Sequence, residues 1–152
     1  ANAGGYCASV KFPSNLISFS GSIPTANVTF PKMLRSLSLE WTGLYTVTDE
    51  KYDSRYSISE MPKSLTKLKI EYLGLSPSKY IEQFSNSITY LRVKNGIVSP
   101  SDGSNHIYTI KELSKSFSML FPSAVKVEVY GYKVEIITNL HGKRWNFKKF
   151  SR

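Results

Sequence analysis

The residues able to carry chemistry are few and far apart. His106, His141 and Cys7 are the only imidazoles and thiol in the chain. Neither histidine has a Ser, a Cys or a carboxylate at a recognisable motif spacing, so no nucleophile with its base can be read from the sequence. One thiol and two separated imidazoles are also a poor donor set for zinc, which takes four ligands in closely spaced pairs. No G-x-G-x-x-G and no P-loop is present to cradle phosphate. The acidic pair Asp49-Glu50 stands in a polar stretch, where solvation is its simplest role. The expectation is a protein that is not an enzyme and uses no cofactor and no metal.

What the chain does carry is positive charge. Its 20 Lys and Arg against 11 Asp and Glu leave a net charge of +9, which favours acidic partners and speeds association with them. The run Lys143-Arg144-Trp145-Asn146-Phe147-Lys148-Lys149-Phe150-Ser151-Arg152 interleaves cations with aromatics. Such a run suits nucleic acid, or else its rings close a core while its cations stay in water; the second reading is preferred. No stretch approaches the roughly 18 uninterrupted apolar residues of a membrane span, so no membrane is expected. Ala1 to Val10 has neither the basic head nor the apolar run of a signal peptide.

The elements that would position these cations are visible as an internal repeat. Segments starting at Phe12, Phe30, Met61, Phe84 and Phe121 open on an aromatic or Met, carry Pro second in four cases, and have an aliphatic fifth residue: Leu16, Leu34, Leu65, Ile88 and Val125. The central three share a further pair, Leu37 with Leu39, Leu68 with Ile70 and Leu91 with Val93, giving L-x-x-L-x-L in the pure form. In the first copy the pair is reduced to Phe19 and Gly21. In the last the alternation slips to Val125, Val127 and Val129, as expected of terminal copies. Proline stops a helix and biases its predecessor to extended geometry, and the alternation then sends every second side chain to one face of a strand. A strand this short buries its apolar row only by stacking, so the copies are expected as neighbouring parallel strands.

The returns differ in length. Ser76-Pro77 before Tyr80, Ile81 and Phe84 predicts a helix. So does Thr109-Ile110-Lys111-Glu112, a capping-box pattern followed by Ile110, Leu113, Phe117 and Leu120 at helical spacing. Thr42 to Glu60 and Lys94 to His106 read as loops, and Val129 to Ile137 as a hairpin around Tyr130-Gly131-Tyr132.

MPKSLTKLKIEYLGLS and FPKMLRSLSLEWTGL, from Met61 and Phe30, resemble the irregular leucine-rich repeats of fungal and amoebal proteins, including F-box substrate receptors. The resemblance covers roughly Phe12 to Tyr130. It implies one α/β domain over residues 1–152: a leucine-rich-repeat-like solenoid with short parallel strands on one face, loops and short helices on the other, and a cap over 129–152. The Asn or Cys that usually follows L-x-x-L-x-L is matched only by Asn95, so regular curvature is not implied, and an F-box role would need residues outside this chain. Extracellular relatives often carry disulfide-closed caps, which a single cysteine cannot form, so an intracellular protein is favoured; against it, Asn27-Val28-Thr29 is a glycosylation sequon.

In such a fold the residues alternating with the buried pair face outward on the concave strand face. Ser38, Lys69, Arg92 and Glu128 lie between the pair; Ser36, Lys67, Tyr90 and Lys126 precede it; Glu40, Glu71, Lys94 and Tyr130 follow it. Lys67, Lys69, Tyr90, Arg92, Lys94 and Lys126 are therefore the candidate partner-binding residues, able to engage an acidic peptide or phosphates. As solubilising residues on an exposed sheet they would look the same. The leading expectation is a protein-interaction module with an acidic partner among the candidates. A nucleic-acid-binding module and a structural fragment of a longer solenoid stay open.

Overall fold

The structure, a computed structural model, describes residues 10–22, 28–40, 43–45, 55–57, 61–75, 87–98 and 108–150. Its strands are β1 (Val10–Lys11), β2 (Ser18–Ser22), β3 (Val28–Thr29), β4 (Ser36–Glu40), β5 (Gly43–Tyr45), β6 (Arg55–Ser57), β7 (Lys67–Gly74) and β8 (Tyr90–Val98). Helix α1 (Ile110–Leu120) follows, and β9 (Lys126–Val129), β10 (Tyr132–Asn139) and β11 (Gly142–Lys149) close the chain's described part. A nine-stranded sheet runs β11-β10-β9-β8-β7-β4-β2, with β5 against β7 and β6 against β5; β1 and β3 pair separately.

The repeat sets the middle of this sheet. β2, β4, β7, β8 and β9 are parallel neighbours, with Phe19, Leu37, Leu68, Leu91 and Val127 in one row and Gly21, Leu39 in the next. Ile70, Val93 and Val129 continue that second row. The first three copies enter their strands through the same corner. The amides of Leu16, Leu34 and Leu65 donate to the carbonyls of Pro13, Pro31 and Pro62, and successive corners are joined by bonds from Ser36 to Ile17, Lys67 to Arg35, Tyr90 to Thr66 and Lys126 to Thr89. The hydroxyls of Thr66 and Thr89 reinforce two of these joints by donating to the carbonyls of Arg35 and Thr66.

The last copy corrects the sequence alignment. Its corner amide is Ala124, which donates to Phe121, so Phe121 stands where the first three copies have Pro13, Pro31 and Pro62. Ala124 is fully buried, whereas Val125, expected in the core, is 68% exposed. The copy has lost one residue between its proline and its strand, and A-x-x-V-x-V preserves the buried spacing.

Two expected loops contain strand. Thr42 to Glu60 holds β5 and β6, and β8 continues through Lys94 to Val98. The reason is the second half of β7: Tyr72, Leu73 and Gly74 pair with Gly43, Leu44 and Tyr45 on one side and Gly96, Ile97 and Val98 on the other. Leu73 and Leu75 are buried, so extending the sheet extends the core. The helix expected from Ser76-Pro77 to Phe84 lies outside the described residues.

Helix α1 forms as its residues dictate. Thr109 accepts from the Glu112 amide and Glu112 accepts from the Thr109 amide, each at 3.1 Å. Leu113, Phe117 and Leu120 are buried, while Ile110 remains exposed. Phe117 meets Phe147 at 4.9 Å and Trp145 at 6.3 Å between ring centroids, locking the β10–β11 hairpin to the helix. The coarse class is thus α/β: an open mixed sheet with one helix among the described residues. The sheet is open and is not the expected solenoid: its parallel strands β2, β4, β7, β8 and β9 lie side by side in one sheet that antiparallel β10 and β11 continue.

Candidate functional site

The face of the sheet opposite the apolar rows carries the cations. Register places Tyr90 between Lys67 and Lys126, and Arg92 between Lys69 and Glu128. Neighbouring strands lie about 4.8 Å apart, so these side chains form one continuous patch. Lys94 extends it along β8, where it lines one groove with Arg92 and Lys126. All six residues selected from the sequence therefore share one surface.

Tyr90 is its centre. The ammonium groups of Lys67, Lys69 and Lys126 lie 5.9, 6.0 and 5.8 Å from its ring centroid. That is the outer range of cation–π attraction, where each contact contributes about 0.5 kcal/mol or less at an exposed site. The phenol donates a 2.7 Å hydrogen bond to Glu128 Oε1, and Lys126 Nζ stands 3.9 Å from the same oxygen. Burial pushes the Tyr90 phenol up from its ordinary value, and the hydrogen bond to Glu128 and that carboxylate's charge push it the same way, while Arg92 opposes them. Tyr90 is accordingly a neutral donor at physiological pH, surrounded by cations.

Glu128 is the residue that sequence reasoning mapped but gave no part. Its position opposite Arg92 was legible from the alternation; its bond to Tyr90, 38 residues away, depends on the parallel register. Glu71 sits where the β7–β8 register shifts, with Oε2 buried and without a hydrogen-bond partner. What the arrangement can do chemically is hold anions: lysines and an arginine at strand spacing, around a phenol whose hydroxyl is held by Glu128.

Of the terminal run, Trp145 and Phe147 are buried, but Phe150, expected to cap the core with them, is 61% exposed. Lys143 donates to the carbonyls of Pro122 and Ala124, both at 2.8 Å, and so braces the last corner. His141 lies exposed in the β10–β11 turn, and His106, Cys7, Asp49 and Glu50 fall outside the described residues. Among the described residues no three His, Cys, Asp or Glu cluster as metal ligands, and no helix is long and apolar enough to cross a membrane. Comparison with known protein families, with curated proteins and with solved structures finds no match.

Proposed function

We propose that this chain is a non-catalytic protein-interaction module, a short leucine-rich-repeat-like stack whose exposed strand face takes an acidic segment of a partner protein. The observation carrying this reading is the in-register patch of Lys67, Lys69, Arg92 and Lys126 around Tyr90, with Glu128 as the acid already seated in it. A partner carboxylate finds the ammonium and guanidinium groups within reach there, and gains the phenolic donor by displacing Glu128 from it. Nucleic acid is a less well supported occupant, since Trp145 and Phe147 turn into the core and are lost as stacking surfaces.

The test is fluorescence anisotropy with a short labelled peptide rich in Asp and Glu, against a labelled oligothymidine of matched charge. The peptide should bind the chain, and Lys67→Glu with Lys69→Glu and Arg92→Glu should abolish binding without lowering the melting temperature by more than a few degrees. Equal peptide affinity in the charge-reversed variant would show that this face is not the site.

A further inference from the structure

Beside the lysine patch the sheet opens into a groove of about 410 Å³. β10 meets β9 through one residue pair, Tyr132 opposite Val129, although both strands continue past it. The groove lies at this interrupted ladder. Its apolar walls are Tyr130, Tyr132, Val134 and Phe150. Arg92, Lys94, Lys126 and Lys133 line it as well, with Glu128 the one carboxylate among them.

Two of those walls are aromatic rings held out in solvent. Tyr130 is 62% exposed in the β9–β10 turn, whose other residue, Gly131, has φ +85°, a conformation that side chains disfavour. The Phe150 amide donates to the Gly131 carbonyl at 3.0 Å, so the backbone holds Phe150 beside that turn. Single exposed apolar residues are ordinary, but adjacent exposed rings enclosed by charges mark an interaction surface.

We infer that this groove receives a large aromatic side chain carried on the acidic segment that binds the lysine patch. The inference rests on the proposed function and adds a specificity rule to it. Arg92, Lys94 and Lys126 belong to both patch and groove, so one continuous chain can place its carboxylates on the cations and its ring between Tyr130 and Phe150. The cationic rim selects a ring flanked by acids, and the apolar walls supply the burial that charge alone cannot. Exposed ion pairs contribute little each, whereas a buried aromatic anchor dominates a small interface.

The decisive comparison uses two labelled acidic peptides that differ at one central position, Trp in one and Ser in the other, titrated against the intact chain and against Tyr130→Ser with Phe150→Ser. The Trp peptide should bind about tenfold or more tightly than the Ser peptide. In the double variant that advantage should vanish while the Ser peptide keeps its affinity. Equal affinities of the two peptides for the intact chain overturn the groove and leave the lysine face standing. An advantage that persists in the double variant overturns it too, by placing the ring elsewhere. Failure of both peptides overturns the groove together with the proposed function, and Phe150-dependent binding of oligothymidine alone assigns the rings to nucleobases instead.

Discussion

At the scale of single residues, Tyr90 and Glu128 decide how the cationic face behaves. Burial, the bond to Glu128 and its negative charge all favour the neutral phenol. The folded-state value therefore lies above the unfolded value near 10. The stability linked to this proton is fully present below that unfolded value and is lost as pH rises through the folded one. Replacing Glu128 by Gln removes the charge, so Tyr90 should ionise at lower pH in Glu128→Gln than in the unaltered chain. Ultraviolet difference titration against Tyr90→Phe isolates this phenol from the others; an unchanged titration would mean that the 2.7 Å bond does not persist in solution. Lys67, Lys69 and Arg92 were identifiable from alternation alone, because a strand residue's face follows from its parity. The pairing of Tyr90 with Glu128 was not, since it joins two copies.

At the scale of elements, the start and stop of α1 are written locally, and so is its buried side apart from Ile110, which belongs to the expected stripe but is exposed. The capping box, the stripe Leu113, Phe117, Leu120 and the following proline lie within a few residues of one another. Local signals and tertiary anchoring have different weights, and this sets a testable ratio. Thr109→Ala removes a cap worth about 1 kcal/mol. Phe117→Ala leaves a cavity between the helix, Trp145 and Phe147 and costs about 3–5 kcal/mol. Denaturant unfolding should show both losses with an unchanged m-value, the second several times the first. If Phe117→Ala were the milder change, the hairpin would not be held by the helix. The segments holding β5, β6 and the end of β8 read as loops because they are polar or glycine-containing and lack periodicity; β5 and the end of β8 are strands because β7 is long enough to give each an edge, and β6 in turn pairs with β5.

Across the whole molecule, a net charge of +9 and an open sheet face act together. Attraction between exposed charges weakens once the Debye length falls below about 10 Å, which happens above roughly 0.1 M salt. Burial of a ring is not screened in this way. Adding sodium chloride should therefore weaken both acidic peptides steeply while the ratio of their affinities stays constant. A ratio that collapses with salt would mean that the groove acts through its cations alone.

By itself the sequence determined the repeated strand entry, the parallel neighbours, the apolar rows and helix α1, because each is encoded by residue types a few positions apart and by a period of two or of 3.6. Only the tertiary structure decided that Ala124 rather than Val125 enters the core, that Phe150 turns outward while Trp145 and Phe147 turn in, and that β10 meets β9 at one residue pair. Those outcomes depend on where the last strand's register comes to rest between the corner before it and the hairpin after it. A one-residue deletion in a repeat leaves its apolar residues in place, and only the neighbouring strand's hydrogen bonds select which residue faces inward.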